Sequence, residues 1–87
     1  MNIQNLYRKA RREATQHAPA AHITIDEENM LVINPGRWHQ GERVFYINPA
    51  DETFTVVSTE TGKALKQVAY QPGSSQIYHA VRGDYKL

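Results

Sequence analysis

The spacing of the apolar residues changes once along this chain, near Pro19, and this change restricts the possible folds more than any other feature. Before Pro19, apolar side chains recur at steps of three and four residues, which is typical of a helix that buries one side. After it, apolar and polar residues alternate, which is typical of half-buried strands. One helix followed by a run of strands predicts an α+β fold.

The N-terminal segment predicts an amphipathic helix over residues 3–17. Its apolar stripe consists of Ile3, Leu6, Tyr7, Ala10 and Ala14. Asn2 is expected to be the N-cap, because its side-chain oxygen can accept a hydrogen bond from a free amide of the first turn. Pro19 disfavours helical geometry at Ala18, so the helix should end at about His17. A single helix of this length is marginal in water, so the stripe should pack on the apolar face of a sheet.

Residues 21–82 predict an antiparallel β-meander of about five or six short strands. A strand over residues 21–25 is followed by a polar turn and by an apolar run over residues 30–33, which together predict a hairpin. Two strands should end at an Asn-Pro step, because proline removes a backbone donor and asparagine favours turns. The predicted sheet face toward the helix consists of Ile23, Ile25, Leu31, Ile33, Phe45, Ile47, Phe54 and Val56.

The second half of the meander is predicted from residue composition and from single turn residues. Residues 53–58 are rich in threonine, phenylalanine and valine, and Gly62 can adopt the positive φ of a tight turn before the next strand. That next segment, residues 64–70, is predicted to be a strand, with a short helix as the alternative because most of its residues favour helix. Residues 76–82 are predicted to be the last strand, with Ile77, His79 and Val81 on one face.

Length and composition predict one domain over residues 1–87 with a single core. A chain of 87 residues is below the usual size for two cores, and its 40% hydrophobic and 22% charged residues are ordinary globular values. It contains no cysteine, which excludes disulfide scaffolds, thiol catalysis and thiolate zinc sites. The first twelve residues have no unbroken apolar run of the kind found in secretory signals. The expected location is therefore the cytoplasm, without membrane attachment.

Charge is sorted along the chain although the net charge is only +1. Residues 1–22 contain four basic residues and one acidic residue, and residues 61–87 have the same numbers. Residues 23–60 contain two basic and seven acidic residues. The predicted helix and the C-terminal segment are therefore basic, and the middle of the chain is acidic.

The basic helix face is a candidate nucleic-acid site. Arg8 and Arg12 lie opposite the apolar stripe, and Lys9 and Arg11 flank it, so these side chains could bind phosphates. A solvated helix surface is the more common use of such charges. Spatial convergence with the second basic segment would favour nucleic-acid binding. The residues expected to contribute there are Lys63, Lys66 and Arg82.

The only tryptophan of the sequence is the second candidate site. Trp38 lies between Arg37 and His39 in a loop bounded by glycines, and tryptophan and arginine are enriched at interface hot spots. These three residues are predicted to bind a protein partner. The alternative is that the Trp38 ring folds back and covers one end of the sheet.

Catalytic and metal-binding patterns are missing from the sequence. The four histidines have neither a zinc-protease nor a zinc-finger spacing, and the chain has no nucleophile elbow and no phosphate-binding glycine motif. An enzyme would require His22, His39 or His79 to meet a carboxylate in a concave pocket. The sequence predicts a small non-enzymatic module without cofactor or metal, an adaptor or inhibitor that binds a protein partner through an exposed loop and sheet surface. Nucleic-acid binding by the basic N-terminal helix is the alternative.

Overall fold

A helix, five strands and a second helix follow one another along residues 2–35 and 43–86, the part of the chain that the computed structural model describes. The elements are α1 (Ile3–His17), β1 (His22–Ile25), β2 (Leu31–Asn34), β3 (Arg43–Asn48), β4 (Thr53–Ser58), β5 (Ala64–Ala69) and α2 (Gln76–Arg82). This architecture confirms the predicted α+β class.

Helix α1 has the predicted bounds because its two ends are fixed by local chemistry. The Asn2 side-chain oxygen accepts a hydrogen bond from the Gln4 amide at 2.8 Å, so Asn2 is the N-cap. At the other end Ala18, the residue before Pro19, leaves the helical region with a φ of −152°. The stripe is buried at Leu6, Ala10 and Ala14 and half-buried at Ile3 and Tyr7.

The five strands form one antiparallel sheet in the order β1-β2-β3-β4-β5, so each strand pairs with its neighbour in sequence. This confirms the predicted meander. The register aligns the apolar positions of successive strands, as in the row Ile23, Ile33, Phe45 and Val56. All the predicted core positions of the sheet are buried except Ile25, which is partly buried and packs against the core.

The turns of the meander have the predicted residues. In the β1–β2 turn, the Asp26 Oδ1 atom accepts from the amides of Glu28 and Met30, both at 2.9 Å, and Asn29 adopts a φ of 62°. In the β4–β5 turn, Gly62 has a φ of 72°, which glycine adopts without steric cost. Strands β2 and β3 end at Asn34 and Asn48, each followed by a proline, as predicted.

Residues 64–69 form a strand and not the alternative helix, because β5 pairs with β4 along its length. The register shifts between Val56 and Val57, which pair with Lys66 and Ala64, so Leu65 has no direct partner on β4. This irregularity places Leu65 on the surface, where it is 47% exposed. Pairing with β4 therefore overrides the helix propensity of this segment.

The prediction of a final strand over residues 76–82 is wrong, because this segment is helix α2. Its buried residues include Ile77, Ala80 and Val81, which follow the three- and four-residue steps of a helix. The helix ends at Gly83, whose φ is 76° and whose amide donates to the Ala80 carbonyl. The amide of Asp84 donates to the His79 carbonyl, which completes a Schellman motif.

Both helices lie on the same face of the sheet. Helix α1 packs against α2, β1 and β2, and α2 also packs against β2. The C-terminal tail covers the core over β3 and β4. The ring of Tyr85 lies 4.9 Å from that of Phe54 and 6.2 Å from that of Phe45. The Arg43 guanidinium holds the tail by donating to the Tyr85 carbonyl at 3.0 Å. The core therefore lies between the sheet and a layer made of α1, α2 and the tail.

Candidate binding face of the sheet

The predicted partner-binding residues Arg37, Trp38 and His39 lie outside the residues that the structure describes. Their role in binding a protein partner remains a prediction. The candidate site in the described part of the chain is a different surface, the face of the sheet opposite α1 and α2.

This surface, the open face, is organised by the strand register. One residue of each strand lies in a single row across the whole sheet, in the order Thr24, Val32, Tyr46, Thr55 and Gln67. Strands are spaced by about 4.8 Å, so this row is roughly 20 Å long. Thr24 and Gln67 at its two ends are exposed, whereas the three central side chains are half-buried.

The open face contains a shallow trough of about 440 Å³ that follows β3 and β4. Its floor includes Tyr46, Thr55 and Val57, and Met30 adds a thioether beside the β1–β2 turn. The trough therefore offers an aromatic ring and aliphatic groups next to hydroxyl groups. Such a mixed lining is suited to contact with another molecule.

One end of the trough is acidic. Asp26 and Glu28 in the β1–β2 turn and Asp51 in the β3–β4 turn belong to its lining. A meander reverses direction at every turn, so these two turns lie at the same end of the sheet. The carboxylates of Asp26 and Asp51 accept hydrogen bonds within their own turns. Within the described ranges, none of the three carboxylates forms an ion pair.

The predicted basic face of α1 is exposed to solvent. Arg8, Arg11 and Arg12 are exposed and Lys9 is half-buried. Arg8 donates to the Asn5 side chain at 3.4 Å. Within residues 2–35 and 43–86, none of these four cations pairs with a carboxylate.

The two lysines of the second basic segment do not gather beside α1. Lys63 and Lys66 belong to the β5 edge, whereas α1 packs on β1 and β2 near the opposite edge. The Lys66 ammonium lies over the Tyr85 ring, 6.0 Å from its centroid. The third residue, Arg82, belongs to α2, which packs against α1, but its guanidinium pairs with Asp84 at 3.3 Å. The second segment therefore adds no unpaired cation beside α1 in the described part of the chain.

His79 meets a carboxylate in a concavity, which is the condition set above for an enzyme. Its Nδ1 atom lies 2.9 Å from an oxygen of Asp84, beside a hollow of about 490 Å³ lined also by Tyr85 and Lys86. The described lining contains no serine, threonine or cysteine. Arg82 forms an ion pair with the same carboxylate at the C-terminus of α2, where the helix dipole stabilises the Arg82 cation. His22 is exposed on β1, and His39 lies outside the described residues.

The described residues can be compared with the requirements of a metal-ion cluster and of a membrane-spanning helix. Residues 2–35 and 43–86 include no group of three or more histidine, aspartate or glutamate side chains that could hold a metal ion. Neither α1 nor α2 has the length and apolar character required to cross a membrane. Burial raises the pKa of the Tyr70 hydroxyl, and this residue belongs to the core and not to the open face.

Sequence reasoning predicted binding through an exposed loop and a sheet surface, but it did not identify the residues of the open face. Two signals were present: the acidic charge of residues 23–60, and the positions of Asp26, Glu28 and Asp51 in alternate turns of the meander. Together they place the carboxylates at one end of the sheet.

No protein-family model, no curated protein and no solved structure matches this chain.

Proposed function

We propose that this chain is a small non-enzymatic interaction module, of adaptor or inhibitor type, that binds a protein partner through the open face of its sheet. The observation that carries the proposal is the trough on that face. Both helices cover the other face, so the described part of the chain places no helix between the trough and solvent.

The side chains of the open face support this function. The solvent side of an antiparallel sheet is usually polar, yet Val32, Tyr46 and Val57 lie there half-buried at its centre. Tyrosine is enriched in protein interfaces because its ring supplies contact area and its hydroxyl a hydrogen bond. Exposed hydroxyl and amide groups at Thr24 and Gln67 would form the polar rim of such an interface.

Truncation of Tyr46 tests the open face directly. Tyr46→Ala should weaken binding of the partner about thirtyfold or more, because loss of a hot-spot side chain typically costs about 2 kcal/mol. The partner would be isolated from the native host, purified, and titrated by calorimetry against wild type and variants. Far-ultraviolet circular dichroism would verify that each variant is folded.

Tyr78→Ala is the matched control, because Tyr78 is also half-buried but belongs to α2 in the helical layer. Its affinity for the partner should equal that of wild type. If Tyr78→Ala loses binding and Tyr46→Ala retains it, the partner binds the helical layer and the proposal is wrong.

A second candidate function, nucleic-acid binding by α1, is favoured by the exposure of Arg8, Arg11 and Arg12 without carboxylate partners in the described part of the chain. The double variant Arg8→Glu/Arg12→Glu should then weaken binding to all sequences alike and reduce its salt dependence. Lys63→Glu, at the opposite edge of the sheet, is the control and should bind as wild type does. Electrophoretic mobility shifts with DNA and with RNA would measure binding by wild type and by the two variants. If wild type shifts neither DNA nor RNA at low salt, this candidate function is excluded.

A further inference from the structure

The trough on the open face has an uneven charge distribution. Three carboxylates lie at the end formed by the β1–β2 and β3–β4 turns, and no described lining residue is a lysine or an arginine. The two lysines of the β5 region do not compensate these charges: Lys66 contacts Tyr85 on the helical side of the sheet, and Lys63 follows the turn at the other end. Within the described part of the chain, no cationic side chain therefore neutralises the acidic end.

The charged end continues directly into the apolar floor. Glu28 and Met30 are separated by one residue in the same turn, and Met30 and Tyr46 line the same trough. A lysine or arginine side chain complements both parts of the trough. Its aliphatic stem can pack on the apolar floor while its cationic head remains at the acidic end. An aromatic ring adds a favourable interaction with the cation.

The shape of the trough fits an extended segment. It is lined along β3 and β4 from Asn48 and Thr53 at the acidic end to Val57, and it reaches Gly62 beyond the end of β4. Six strand residues span about 20 Å, so the trough could accommodate roughly six residues of an extended peptide. The helical layer lies on the far side of the sheet and does not obstruct this path.

We infer that the open face binds an extended, lysine- or arginine-containing segment of its protein partner, with a cationic side chain at Asp26, Glu28 and Asp51 and its stem on Met30 and Tyr46. This inference rests on the proposed function and adds the chemistry of the partner. Charge complementarity of this kind mainly raises the association rate and selects among partners.

The test uses the 87-residue chain and a short fluorescein-labelled peptide that alternates lysine and alanine. Fluorescence anisotropy should show binding that weakens as salt is raised, because exposed charges are screened. The matched peptide with glutamate in place of lysine should not bind. Absence of binding by the lysine peptide at low salt would overturn the inference.

A pair of charge reversals in one turn localises the binding. Glu28 lines the trough and its neighbour Glu27 does not, yet both are exposed and carry the same charge. Glu28→Lys should reduce affinity for the lysine peptide about fivefold or more, and Glu27→Lys should reduce it less than about twofold. Equal effects of the two variants would mean that only the net charge of the protein matters, which would contradict a site in the trough.

The same variants separate this inference from the proposed function. If Tyr46→Ala abolishes binding of the purified partner but Glu28→Lys does not, the open face binds a partner that is not cationic, and only the inference fails. If neither variant affects the partner, both fail. Sedimentation velocity tests a second copy of this chain as the occupant: self-association that is lost in both Glu28→Lys and Arg8→Glu/Arg12→Glu would identify the basic α1 of another copy and overturn the inference.

Discussion

Replacing Phe54 by alanine should destabilise the protein by about 3 to 5 kcal/mol, because the lost ring leaves a cavity that a well-packed core cannot fill. Phe54 is completely buried, and its ring lies 5.8 Å from that of Phe45 and 4.9 Å from that of Tyr85. Small domains are stable by only about 5 to 15 kcal/mol, so this variant should lose a large part of its stability. Urea denaturation followed by circular dichroism measures the change.

Thr55→Ala is the matched control for Phe54. Thr55 is the next residue of β4, but its side chain lies on the open face and is half-buried. Its effect should stay within about 1 kcal/mol, as for substitutions away from the core. If Thr55→Ala destabilised the protein as much as Phe54→Ala, the placement of the core on the helical side of the sheet would be wrong.

Leu6→Ala should cost about 2 to 4 kcal/mol, because Leu6 is the largest buried side chain of the α1 stripe and alanine would leave its site empty. Gln16→Ala, on the exposed side of the same helix, should be close to neutral, since alanine is a good helix former. Thermal unfolding of the two variants measures both effects. Equal melting temperatures for Leu6→Ala and wild type would show that α1 does not pack on the sheet.

Helix α1 and the meander could be predicted because their signals are local. The stripe of α1 extends over about three turns, and Asn2 and Pro19 bound the helix with side-chain chemistry that acts within a few residues. The strands are separated by turns whose residues require particular backbone angles, such as Gly62. Each of these features is decided by residues close in sequence.

Helix α2 was missed because its segment fits two periods. Ile77 and Val81 fall on one side of a strand and also on one side of a helix, and only Ala80 between them favours the helix. A Gly83 placed after His79 and Arg82 was a further signal of a helix C-terminus. Seven residues are too few for periodicity to decide, and packing against α1 stabilises the helical alternative.

The open face could be predicted only in part. Alternation assigns Val32, Tyr46 and Thr55 to one side of their strands, but the row that they form depends on the register between strands. The apolar pattern predicted which face lies toward α1, but α2, which completes the helical layer on that face, was not predicted. The acidic end could have been predicted from the sequence, because its position follows from the meander order and from the turn positions of Glu28 and Asp51.

The pairing of every described strand with its neighbour in sequence also determines how this chain reaches its fold. Three of the four hairpins close loops of only four or five residues, and short loops lose little chain entropy before their contacts form. Proteins dominated by such local contacts fold quickly. The contact between α1 and α2 is different, because it joins the two ends of the described chain and closes the longest loop. We therefore expect the sheet to form first and the pairing of the two helices to be a late step of folding.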